Sequence, residues 1–82
     1  MDMSIQFKLQ VALDELDITS HHLAVESKTR PATVLALAKG QMKRLDVDMI
    51  IKILDELNRI ADDKGMSKRY GIEDVIRYEY DE

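Results

Sequence analysis

The chain has no cysteine, one proline and three glycines in 82 residues. Without cysteine there are no disulfides, no thiolate metal sites and no cysteine nucleophile, which fits a reducing cytoplasm. Three glycines do not build a glycine-rich phosphate loop. Aromatic residues make up only 5%, so the core has to be assembled from Leu, Ile, Val, Ala and Met. No apolar run approaches the roughly 20 residues needed to cross a bilayer. The opening Met1-Asp2-Met3-Ser4 shows no basic segment followed by an apolar stretch, so no secretory signal is expected. These absences predict a soluble, cytoplasmic chain with no membrane association.

What is present is ordinary for a globular protein: 45% hydrophobic and 34% charged residues. The length suits one domain over 1–82 with one core. The net charge is −4, which at first argues against a polyanionic partner. Its distribution argues the other way. Lys28, Arg30, Lys39, Lys43 and Arg44 lie in a window without any acidic residue. That window carries +5, so the remaining residues carry −9 against the total of −4. A basic face on an acidic body can meet a polyanion on one side and repel it elsewhere. The alternative is a plainly solvated surface.

Apolar residues recur with helical spacing along most of the chain. Ile5, Leu9, Ala12, Leu13 and Leu16 fall on one face of a first helix, with Ser4 as its N-cap and Asp17 as its end. Ile18 then enters the core. Thr19 caps a second helix over Ser20 to Ser27, with Leu23 and Ala24 inward. A third begins near Arg30-Pro31, since proline suits the first helical turn. It runs through Val34 and Leu37 and stops at Gly40. Asp46 caps a fourth, built on Ile50, Ile53, Leu54, Leu57, Ile60 and Ala61, with acidic Asp48 in its first turn. Asp62-Asp63-Lys64-Gly65 closes it. Met66 to Tyr70 reads as an exposed, partly basic loop. Gly71 to Tyr78 reads as a weak last helix with Val75 and Ile76 on its apolar side. The tail, 78–82, alternates aromatic and acidic residues and reads either as a fraying end or as a short strand.

Enzymatic readings find little support. His21 and His22 are adjacent and so point about 100° apart on a helix, not along one face as an i, i+4 metal pair does. Asp14, Glu15 and Asp17 read as solvated surface and a helix end. No nucleophile has an evident base. The chain is expected not to be an enzyme, with no catalytic residue, metal or cofactor assigned.

The informative stretch is Thr19 to Arg44. A short helix, a three-to-four-residue turn and a second helix make a helix-turn-helix, about 19–39. The order Ile18-Thr19, Leu23-Ala24, Thr33-Val34, Leu37, Gly40, Lys43-Arg44, then Asp46 with Ile50, Ile53 and Leu57 resembles the Cro and phage-repressor (xenobiotic-response-element) family. The likeness covers about Leu9 to Leu57 and, more loosely, Asp74-Val75-Ile76. Leu-Ala followed at fixed distance by Thr-Val, Leu and Gly is its most specific part. The resemblance implies an all-α fold, a compact five-helix bundle of the lambda-repressor type. It further implies a prokaryotic or phage transcriptional regulator that binds double-stranded DNA as a homodimer, the third helix in the major groove.

Carried over residue by residue, the family's roles place phosphate contacts at Thr19 and Ser20, where a helix N-terminus suits an anion. They also place them at Lys28 in the turn and at Lys39, Gln41, Lys43 and Arg44 after the third helix. The base-facing positions become Arg30, Pro31, Ala32, Thr33 and Ala36. Of these, Pro31, Ala32 and Ala36 have no side-chain hydrogen-bonding group, so they offer contact with a thymine methyl but no bidentate readout. Leu35 stands where relatives are usually polar. Lys28 stands where they often have glycine, and a left-handed lysine costs about 1 kcal/mol. The loop 62–70 is longer than the family's usual connection, as an ordinary insertion or a partner-binding element. A second functional reading follows from these departures. The fold would serve as a protein-interaction module, antitoxin-like or anti-repressor-like, with Pro31, Ala32, Leu35 and Ala36 as its apolar contact surface.

Overall fold

The computed structural model describes residues 5–80. It is mostly helical, with four helices and one two-stranded sheet: β1 (Ile5–Phe7), α1 (Leu9–Leu16), α2 (Ser20–Ser27), α3 (Pro31–Ala38), α4 (Val47–Asp63), a 3-10 turn (Ile72–Asp74) and β2 (Ile76–Tyr78).

Local chemistry accounts for the four helices. Asp17 ends α1 in the left-handed conformation, φ 56°, which short polar side chains tolerate. Thr19 caps α2, its Oγ1 accepting from His22 N–H at 3.0 Å. Pro31 opens α3 at a position where no amide donor is needed. Gly40 follows its end at φ 72°. Gly40 N–H donates to Leu37 C=O and Gln41 N–H to Ala36 C=O, which satisfies carbonyls the helix leaves free. A Cβ on Gly40 would stand 3.2 Å from the Phe7 ring, so the turn also admits β1 against it. Asp46 caps α4 by accepting from Asp48 N–H at 2.9 Å. Gly65, at φ 74°, turns the chain after α4.

The core is one cluster. Leu9, Leu13 and Leu16 of α1, Leu23 of α2, Val34 and Leu37 of α3, Ile53 and Leu57 of α4, and Val75 are fully buried in it. Glu56 of α4 is also buried, at 8% exposure. Its carboxylate receives the Arg59 guanidinium, which also donates to Asp63 at 2.7 Å and reaches Glu26 of α2 at 3.6 Å. A carboxylate can sit on the apolar side of a helix only with such a partner.

The two ends of the chain depart from an all-α, five-helix bundle. The first helix begins at Leu9, with Lys8 as an uncapped start. Ile5 lies in a strand instead, and Ser4 lies outside the described residues. The last helix expected over Gly71 to Tyr78 is a single 3-10 turn followed by β2. β2 pairs antiparallel with β1, Phe7 opposite Ile76. Ile5-Gln6-Phe7 and Ile76-Arg77-Tyr78 both alternate apolar and polar residues, the pattern of a half-buried strand. Each partner is about seventy residues from the other along the chain, so local periodicity does not reveal the pairing. Tyr78 ends that strand rather than opening a separate tail; residues 81 and 82 lie outside the described residues.

The expected loop from Met66 to Tyr70 is exposed at Ser67, Lys68 and Arg69 but not at its end. Tyr70 is buried. Asn58 of α4 brackets its peptide group, with Asn58 Nδ2 donating to Tyr70 C=O at 3.0 Å and Tyr70 N–H donating to Asn58 Oδ1 at 2.6 Å. The Tyr70 hydroxyl donates to Glu15 Oε1 at 2.9 Å, Lys68 Nζ donates to the same oxygen, and that ammonium stands 4.7 Å from the Tyr70 ring centroid. Burial, then the Glu15 hydrogen bond, pushes the phenol pKa up to about 12. Lys68 first, and Tyr70 second, hold Glu15 below its ordinary 4.5. No helix is long and apolar enough to cross a membrane among the described residues.

Candidate nucleic-acid interface

The site begins with the turn between α2 and α3. Ser27 Oγ donates back to Leu23 C=O at 2.7 Å and lies 2.8 Å from Thr29 Oγ1. Thr29 N–H donates to Ala24 C=O at 2.9 Å. With both flanking residues tied, Lys28 is held at φ 60° and its side chain is exposed. The strain of a left-handed lysine is therefore present, and it aims a cation outward from the tightest point of the turn.

Arg30 sits in extended conformation just ahead of α3, exposed and making no capping bond of its own. Pro31 and Ala32 are exposed, and Thr33 and Ala36 half-buried. Leu35 is 43% exposed. The outer side of α3 is accordingly short, apolar and nearly free of hydrogen-bonding side chains, with Arg30 at its head. At eight residues α3 spans about 12 Å, the width of a DNA major groove.

After α3, Lys39, Gln41, Lys43 and Arg44 are all exposed, while Met42 and Leu45 between them are half-buried against the core. This alternation pins the loop by its apolar residues and leaves its polar ones facing out. Thr19 is exposed and Ser20 half-buried at the start of α2. Thr19 Oγ1 is already occupied by the cap, so the free amides ahead of it are those of Ser20 and His21. His21 and His22 are both exposed.

A groove of about 550 Å³ runs between the turn and the loop. It brings Lys28, Arg30 and Thr33 together with Arg44. Thr19, Ser20, Lys39, Gln41 and Lys43 do not line it. Lys52 of α4 does, and so do Asp46 and Asp48, with Met42 and Met49 at its apolar floor. Lys52 has no sequence signal as a site residue, because only the packing of α4 beside the loop carries it there. The two carboxylates put negative charge on the same wall, although Asp46 is engaged in capping.

The cations of this region differ in pairing from those of the C-terminal stretch and of Arg59. Among the described residues, none of Lys28, Arg30, Lys39, Lys43 and Arg44 has a carboxylate within 4.0 Å, whereas Arg59, Lys68, Arg69 and Arg77 each do. Unpaired, solvated cations cost nothing to bring to an external anion beyond their own desolvation.

Comparison of the chain with family models, with curated proteins and with solved structures finds no match.

Proposed function

We propose that the protein is a sequence-specific, duplex-DNA-binding regulator of prokaryotic or phage type, acting in the cytoplasm. On this reading α2, the turn and α3 form a helix-turn-helix of the lambda-repressor kind, with α3 in the major groove. The observation that carries it is the set of five exposed cations, unpaired among the described residues, that flank the exposed side of α3. Lys28 from the turn and Lys39, Lys43 and Arg44 from the following loop are disposed to take phosphates, joined by the amides at the start of α2. Arg30 is the one side chain at the head of α3 able to make a bidentate contact, to guanine. Base reading by the remainder of α3 is limited to the Thr33 hydroxyl and close apolar contact.

The exposure of Leu35 beside Pro31 and Ala32 favours a second reading, in which the same side of α3 docks a protein partner. A gel shift on random duplex DNA at low and moderate salt, followed by two variants, separates the two. For DNA binding, Arg30→Ala costs about 1–3 kcal/mol on a selected site and relaxes one position of it. For protein docking, Leu35→Asp abolishes a partner complex while Arg30→Ala leaves it intact. No retardation of any duplex at low salt would sink the DNA reading.

A further inference from the structure

The groove between the α2–α3 turn and the start of α4 holds more than a phosphodiester backbone needs. Four cations line it, Lys28 and Arg30 on the turn side and Arg44 and Lys52 on the other. Asp46 and Asp48 line it too, and four cations less two carboxylates leave +2. Met42, Leu45 and Met49 supply an apolar floor packed against the core. These charges do not neutralise one another. Asp48 and Lys52 stand one turn apart on α4, the spacing at which opposite charges commonly pair. Yet among the described residues neither Asp46 nor Asp48 has a cation within 4.0 Å, and none of the four cations has a carboxylate that near. They stay apart around about 550 Å³, a volume in the range of small-molecule sites.

Each part of the lining suits a different chemistry. The cations suit a phosphate, and a net +2 matches a phosphate monoester, which carries roughly −1.5 to −2 at pH 7. A backbone diester carries a single negative charge. Ionised carboxylates only accept hydrogen bonds, so they repel a bare anion and favour a ligand that also brings hydroxyl or N–H donors. The methionine floor suits a flat ring, since polarizable sulfur makes favourable contacts with aromatic edges. Phosphate monoester, sugar hydroxyls and planar ring occur together in a mononucleotide.

We infer that the groove binds a free nucleoside 5′-monophosphate. Its phosphate lies among Lys28, Arg30, Arg44 and Lys52, its hydroxyls face Asp48, and its ring rests on Met42 and Met49. Asp46 already accepts from the Asp48 amide, which leaves Asp48 as the freer acceptor. This site does not depend on DNA binding. Where both hold, the nucleotide takes three of the cations assigned above to the duplex, Lys28, Arg30 and Arg44, so the two ligands exclude each other.

Titration of the whole protein without DNA, with methionine methyls and backbone amides followed by NMR, tests this separately from the gel shift above. Adenosine 5′-monophosphate is expected to shift the Met42 and Met49 methyls through its ring current. Met66 does not line the groove and should stay in place. Adenosine lacks the phosphate and ribose 5-phosphate lacks the ring, so each should bind at least about tenfold more weakly. Inorganic phosphate should move amides near Lys28 and Arg44 but neither methyl. Lys52 is exposed and has no part in the DNA contacts assigned above. Lys52→Ala should weaken the nucleotide about tenfold, and Lys52→Arg should retain it. Methyls that do not move at millimolar nucleotide, nucleotide and fragments binding alike, or Lys52→Ala binding as the wild type does would overturn the inference.

Discussion

Between Thr19 and Arg44 every backbone hydrogen bond that shapes a turn closes within five residues, whereas Met66 to Tyr80 is fastened largely from far away along the chain. Thr19 caps its own helix, Thr29 bonds Ala24, and Gln41 bonds Ala36. In the later stretch, Tyr70 is held by Asn58 and Glu15, Val75 by Lys8, and Glu79 by Gln6. The charges follow the same division. Lys68, Arg69 and Arg77 are engaged by Glu15, Asp62 and Glu79, and the cations from Lys28 to Arg44 are engaged by none of the described carboxylates. The comparison teaches that a surface offered to an outside partner can be shaped by local rules alone. A segment held in place by its own charges depends on where the rest of the molecule puts their partners.

The largest expected effect falls on what the two regions share. Leu57 is fully buried in the core cluster to which residues of both regions belong. Leu57→Ala should cost about 2–5 kcal/mol through reduced burial and the cavity left behind, read by denaturant unfolding. A midpoint unchanged within error would break the assignment of α4 as the common support.

Asn58→Ala sharpens the contrast. It leaves the peptide N–H and C=O of buried Tyr70 without partners, at a cost of about 1–3 kcal/mol. Hydrogen exchange should show protection falling first in residues 66–78, with α2 and α3 slower to respond. Equal loss across both regions would mean that they unfold as one unit.

The titration behaviour belongs to the later stretch alone. Tyr70 is raised to about 12 from 10.0, so its contribution is complete below pH 10 and is lost as pH rises toward 12. Glu15 is lowered, so its contribution is present above pH 4.5 and is lost as pH falls through its folded value. Melting curves of Tyr70→Phe should lose the alkaline decline between pH 10 and 12. A decline of the same steepness in the variant would point to other groups.

The smallest effect on stability is expected at Lys43 and Arg44, exposed and unpaired among the described residues. Replacing both with Ala should shift stability by less than about 0.5 kcal/mol. Under the proposed DNA binding, the same change weakens affinity for all sequences alike. It also flattens the salt slope by about 0.9 for each phosphate that is no longer neutralised. An unchanged slope excludes the two residues from the interface.

Legibility in the sequence tracks the same division. The caps at Thr19, Pro31 and Asp46, the left-handed Asp17 and Lys28, and the stop at Gly40 are all properties of a residue and its near neighbours. So is the contiguous basic window, whereas the exposure of Leu35 on a helix apolar all round is indicated only by the resemblance, in which that position is usually polar. Glu56 was not legible as a buried residue, because its place depends on Arg59 one turn on and Glu26 on another helix. Ile5 fitted a helical spacing to Leu9 as well as a strand alternation with Phe7. Nothing local chooses between them.

The amino-acid order by itself determined four helices, their ends except the start of α1, and the stretch of charge between Lys28 and Arg44, since hydrogen bonds and caps of that kind close within about one turn. Only the tertiary structure decided the fate of both chain ends. A strand is stable only against a partner, and β1 found its partner in β2, so Ile5 and Ile76 became sheet. Tertiary packing also decided that Tyr70 goes inside, through Asn58 and Glu15, and that Lys52 joins Lys28, Arg30 and Arg44 around one groove. Each of these depends on two or more distant segments meeting in space, and that meeting is a property of the packed core rather than of any window of sequence.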